Sequence, residues 1–228
     1  MARAIKKDLE IKLLCDNREQ DRAYIKDILD SRVNKDGIKI TQVEYCTVKP
    51  IDINTGEPCK VSTGDLSIVF RELGTDNEWI GTNLSIEVKK NLDEFSSLYS
   101  KENRDRLESE VLRAKTYGLS FYFVCTNSLG DTIAQIKKVP KLKTTNCEVT
   151  HFEQLVKFNR FLQKQGFDGI IISGKELSWT IRRLIKLFIK ENKLQYKCFS
   201  KDNWESYIFR VFRCSYWFNR YEKCNQRI

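Results

Sequence analysis

The stretch NLSIEVKKNLDEF, residues 83–95, closes an apolar run with Glu87, Lys89 and Asp93. Side chains alternate along a strand, so Glu87 and Lys89 share one face and Val88 takes the other. A carboxylate and an ammonium on one face at a strand end can hold a hard divalent cation and act on a water or phosphate beside it. The spacing alone is not specific. With 31 acidic residues and 25 lysines in 228 positions, chance supplies about three or four acid-x-Lys triplets. Three occur, Glu10–Lys12, Glu87–Lys89 and Glu191–Lys193. What sets the second apart is its company. Asp65 follows Gly64 at the opening of the preceding strand, and Asp16 ends the first strand beside Arg18 and Glu19. Asp93 stands four residues beyond Lys89, at the start of a helix.

Phosphodiester hydrolysis needs an attacking water, stabilisation of charge at phosphorus and help for the leaving alkoxide. Carboxylates holding Mg²⁺ or Mn²⁺ supply the first two, and a lysine orients or deprotonates the water or steadies the transition state. Each aspartate taken singly has a blander role, because aspartate is favoured in turns and at helix caps. The ordered set is what points to a site. His151 is the only histidine, which excludes His-paired nuclease chemistry and multi-His metal centres. The eight cysteines contain no C-x-x-C pair, so zinc-ribbon spacing is absent and reduced thiols are expected. A net charge of +9 favours a polyanionic partner such as nucleic acid.

These residues need elements to carry them. A strand is predicted near 9–15, then a helix with Tyr24, Ile25, Ile28, Leu29 and Val33 as its apolar stripe. GIKITQVEYCTV reads as a strand and residues 49–64 as a loop or small hairpin holding two prolines. DLSIVFREL and WIGTNLSIEVKK flank a GTDNE turn as strands. A helix broken near Ser100–Asp105 follows, then a buried strand LSFYFVCTN, a helix from His151, a short strand FDGIIISG and a last helix. That helix is expected to bury Leu177, Ile181, Leu184, Ile185 and Phe188 and to expose Arg182, Arg183, Lys186 and Lys190. The order implies an α/β domain with a mixed sheet covered on both sides, where strand ends on one edge converge on a site.

The segments LLCDNRE, STGDLSI, IEVKKNLD and DRLESE, in that order, resemble the nuclease domain of XPF-type structure-specific endonucleases, of the PD-(D/E)xK superfamily. That family shows Asp-x-Arg-Glu after the first strand, then Gly-Asp, then Glu-Arg-Lys-x-x-x-Asp. The resemblance covers roughly residues 10–126 and extends to the 168–190 strand and helix. It implies a restriction-endonuclease-like core, a mixed central β-sheet flanked by helices. Asp65, Glu87 and the carbonyl of Val88 would ligate Mg²⁺ or Mn²⁺, and Lys89 would act on water or phosphate. Asp16, Glu19 and Asp93 would support metal or water, while Arg18, Arg104 and Arg106 would face DNA. Pairing of nuclease domains as a homodimer or heterodimer is also implied, with a place in DNA repair or recombination. Two departures stand out: Val88 replaces the arginine of Glu-Arg-Lys, and no tandem helix-hairpin-helix module follows residue 195.

The expected organisation is an XPF-like nuclease domain over 1–195 and an aromatic, basic extension over 196–228 packed on it. The function implied is metal-dependent DNA cleavage at branched or single-strand/duplex junctions. Alternatives are a restriction-like or Holliday-junction nuclease, or a non-cutting DNA-binding subunit; a basic protein-interaction domain is a third. Residues 169–176 mimic a phosphate-binding loop, but Glu176 occupies the Ser/Thr position and the interior is a strand pattern, so no nucleotide is expected. Neither signal peptide nor membrane span is apparent, so an intracellular protein of cytoplasm, nucleoid or nucleus is expected.

Overall fold

The computed structural model describes residues 9–18, 23–29, 39–72, 74, 76, 78–89, 101–126, 142–144, 147–149, 151–173 and 176–192. The strands are β1 (Leu9–Asp16), β2 (Lys39–Cys46), β3 (Leu66–Glu72), β4 (Ile80–Gly81), β5 (Leu84–Lys89), β6 (Ser120–Cys125), β7 (Leu142–Thr144), β8 (Cys147–Val149) and β9 (Ile170–Ile172). The helices are α1 (Ala23–Leu29), α2 (Lys101–Thr116), α3 (His151–Lys164) and α4 (Leu177–Glu191). The chain is an α/β protein with a mixed seven-stranded sheet in the order β2-β1-β3-β5-β6-β9, with β4 alongside β3. This is the mixed central sheet flanked by helices expected of a restriction-endonuclease-like core. β7 and β8 form a separate hairpin that no turn signal had marked.

Strand directions decide where a site can form. β1 runs parallel to β2, antiparallel to β3, and β3 antiparallel to β5. β5, β6 and β9 are parallel to one another. β1, β2, β5, β6 and β9 therefore all end on one edge, at Asp16, Cys46, Lys89, Cys125 and Ile172. β3 runs the other way and begins there, at Leu66, directly after Asp65.

Alternation then divides the side chains between two cores. Ile11, Leu13, Cys15, Leu66, Ile68, Leu84, Ile86 and Val88 point to one face, under α1 and α4. Phe121, Phe123 and Cys125 point to the other, packed with Leu107, Val111 and Ala114 of α2 and Phe158 and Leu162 of α3. These two helices cover the β5–β6–β9 side. Beyond them, on the same face, Arg71 binds Glu10 at 2.7 Å, Lys12 binds Glu44 at 3.0 Å, and Trp79 stacks on both Lys12 and Arg71. Glu10 and Lys12, the first acid-x-Lys triplet, are thus spent in sheet-face ion pairs away from the edge.

Two expectations are corrected. The stretch 79–90 is not one strand: Thr82 and Asn83 break it into β4 and β5, with the Thr82 hydroxyl bonded back to Ile68 O at 2.8 Å. Arg182, expected on the exposed side of α4, is 1% exposed and donates through Nη1 to Ile28 O at 2.8 Å. Among the described residues no helix is long and apolar enough to cross a membrane. The extension 196–228 lies outside the described residues.

Candidate active site

The edge is built from Gly64 upward. Gly64 has φ +79°, and a Cβ there would lie 2.3 Å from Ser85 Oγ and 3.2 Å from Ile86 O. Only glycine fits both the conformation and the space. Asp65 follows, donating its N–H to Ile86 O at 2.9 Å and accepting the Asp16 N–H on its carbonyl at 2.8 Å. Its Oδ2 accepts the Val88 N–H at 2.8 Å. The aspartate thus brackets Glu87 along β5, as its position opening the partner strand had suggested.

Val88 completes the arrangement through its backbone. Asn83 O and Lys89 O bond toward β6, whereas Ile86 O and Val88 N bond toward β3. The N–H and C=O of one strand residue point the same way. The Val88 carbonyl therefore emerges on the side of the Asp65 carboxylate, while its side chain is buried in the opposite core.

Glu87 is 4% exposed on the α2 face. Burial pushes its carboxyl well above the ordinary carboxylate range, and the charges of Asp65 and Glu110 push it further in the same direction. Lys89 opposes them, donating from Nζ to Glu87 Oε1 at 2.5 Å. Excess negative charge thus gathers at a sheltered strand end.

Asp16 lies on the same edge but is otherwise engaged. Its Oδ1 accepts Arg18 N–H at 2.8 Å and Arg18 Nε–H at 2.9 Å, and its Oδ2 accepts Arg18 Nη2–H at 2.8 Å. The hydrogen bonds from Arg18 hold the Asp16 carboxyl below its usual value, against the opposite pull of burial. The Arg18 side chain is nonetheless 80% exposed. Arg104 is half-buried and Arg106 exposed, both in the first turns of α2. Glu19 and Asp93 lie outside the described residues.

The acid that motif spacing missed is Glu110. It belongs to the third turn of α2, and its Oε1 accepts the Gly64 N–H at 2.8 Å. The signals in the sequence are its place closing the DRLESE segment and its position between Leu107 and Val111, at the margin of the helix's apolar stripe. Burial pushes the Cys59 thiol up to about 11 and the Cys46 thiol above its ordinary value, so neither of these two is a ready nucleophile. Within the 169–176 decoy, Ile170–Ile172 form β9, pairing with Phe123–Cys125, and Glu176 precedes α4.

The donors suit a hard cation. Among the described residues no three Cys, His, Asp or Glu side chains gather closely enough to enclose an ion. Two carboxylates and a carbonyl from the protein, with water and phosphate completing the shell, is the pattern Mg²⁺ favours over an all-protein cage. A divalent cation would also neutralise the charge that burdens Glu87, so the residues fit the group. No family model matches the chain, and no curated protein matches it.

Proposed function

We propose that the protein is a metal-dependent DNA endonuclease with an XPF-like nuclease core, cutting at branched or single-strand/duplex junction DNA. The observation that carries this reading is Glu87: a buried carboxylate flanked by Asp65, crowded by like charge and answered by Lys89 two residues on. Two nearby acids disfavour ionisation of this buried glutamate, and a bound divalent cation would relieve that repulsion.

Asp65 and Glu87 would hold Mg²⁺ or Mn²⁺ with the Val88 carbonyl. When bound, the ion lowers the pKa of a water and neutralises phosphoryl oxygens. The remaining work falls to the chain. Val88 N–H fixes the rotation of the Asp65 carboxylate through its Oδ2. Lys89 Nζ lies against Glu87, close enough to hand a proton to water or to meet a phosphate oxygen. Arg18, Arg104 and Arg106 would contact the DNA backbone, and the net charge of +9 supports that partner. Association of nuclease domains as a homodimer or heterodimer belongs to the same reading.

The test is a panel of labelled linear, flap, fork and four-way DNA incubated with Mg²⁺, Mn²⁺ or EDTA. Cutting that requires metal and prefers a junction is expected. Preference for linear duplex would transfer the protein to a restriction-like class, and binding without cutting in either metal would make it a DNA-binding subunit.

A further inference from the structure

The turn that delivers Asp65 is held from two sources. Neighbouring strands hold Asp65 itself, through Ile86 O, the Asp16 N–H and the Val88 N–H. The residue before it, Gly64, sits in the left-handed region, and the Ser85 hydroxyl nearby is turned to Thr63 O at 3.0 Å. The Gly64 N–H is instead satisfied by a side chain 46 positions later, Glu110 Oε1, at 2.8 Å.

We infer that Glu110 is a positioning residue, which fixes the Gly64–Asp65 turn by accepting the Gly64 N–H and so aims the Asp65 carboxylate into the site. Its consequence for catalysis rests on the nuclease reading; the hydrogen bond does not. Glycine is the least restrained residue available, so a turn that needs it also needs an external hold. α2 can provide that hold because Leu107, Val111 and Ala114 anchor it against β6 and leave Glu110 at the edge of the buried stripe. A reacting group displaced by about 1 Å can lose about 10²-fold in rate, so a bond one residue from the carboxylate has leverage. Glu110 touches none of the reacting atoms in this scheme; it acts on Asp65 through Gly64, and its charge separately bears on Glu87, which is why acceptor and charge must be tested apart.

Two substitutions separate the acceptor from the charge. Glu110→Gln keeps a carbonyl oxygen at the same reach and removes the charge; Glu110→Ala removes both. Hydrogen exchange at the Gly64 amide should be faster by about tenfold or more in Glu110→Ala and close to wild type in Glu110→Gln. On a cleaved DNA substrate, kcat should fall about 10- to 10²-fold in Glu110→Ala with KM little changed, and Glu110→Gln should recover most of it. Should the alanine variant fail to fold, Glu110→Asp, one methylene too short to reach, takes its place with the same expectation. Unchanged Gly64 exchange in the alanine or aspartate variant would overturn the inference. So would a glutamine variant as impaired as alanine, which would assign the effect to charge. A wild type that cuts no DNA would end the nuclease reading, while Gly64 exchange would still decide whether Glu110 holds the turn.

Discussion

Glu87 ionises at a cost that pH can expose. Its carboxyl is raised in the folded protein, so the folded state binds the proton more tightly than the unfolded chain. Without divalent cation, stability is therefore fullest below the ordinary value of 4.5 and is lost as pH rises from there through the raised folded value. Glu87→Gln should melt higher than wild type at neutral pH without metal, and the gap should close in acid, as thermal melts across pH would show. Asp16 has the opposite sign. Its carboxyl is depressed by Arg18, so its contribution is present above 3.8 and lost as pH falls through the lowered value. Because Arg18 is largely exposed, Asp16→Asn should cost only about 1 kcal/mol at neutral pH in urea titration. Gly64→Ala should cost about 2–3 kcal/mol by the same measurement, from left-handed strain plus the clash with Ser85. Asp65, Glu87 and Lys89 were legible because strand alternation is a local rule. Glu110 was not, because the rotational phase of a helix over a sheet is set by packing between distant segments.

The helices show where periodicity stops informing. Leu177, Ile181, Leu184, Ile185 and Phe188 form the buried stripe on α4 that their spacing predicts. Arg182 breaks the pattern: it lies beside the stripe, and composition would send it to solvent. It is buried because the end of α1 leaves carbonyls without intrahelical donors, and the guanidinium reaches that of Ile28. The arginine thus ties α4 to α1, the two helices covering one face of the sheet. Arg182→Ala should cost about 3 kcal/mol, from lost packing and a carbonyl deprived of its donor. Arg183→Ala, one residue along and exposed, should stay within about 0.5 kcal/mol in parallel urea titrations. The split of residues 79–90 was hidden for a related reason. Thr82 and Asn83 are compatible with a strand, and only the hydroxyl bond to Ile68 O shows where the ladder turns aside.

At the scale of the molecule, one topological fact gathers the chemistry. Five parallel strand ends and the start of β3 share an edge, so residues 16, 65, 87 and 89, remote in sequence, meet there. The α/β class and the strand order along the chain were readable from apolar runs and turns. The direction of β2, paired parallel to β1, depends on a long-range contact that no local pattern encodes. α2 reaches the same edge through Glu110 at Gly64, and Arg106, one turn earlier on that helix, is exposed. If phosphates are met there, DNA affinity should fall steeply with salt, and Arg106→Ala should lower the slope of log affinity against log salt by about 1, by fluorescence anisotropy.

The central claim, that the buried Glu87 ligates the catalytic cation, is tested most directly by the single-turnover rate of fork cleavage in Mg²⁺, wild type against Glu87→Gln, with DNA binding measured alongside. The account predicts a fall of about 10³-fold or more with binding retained, the several kcal/mol that a metal's charge stabilisation supplies. A Glu87→Gln protein that binds the fork and cuts it at the wild-type rate would contradict it.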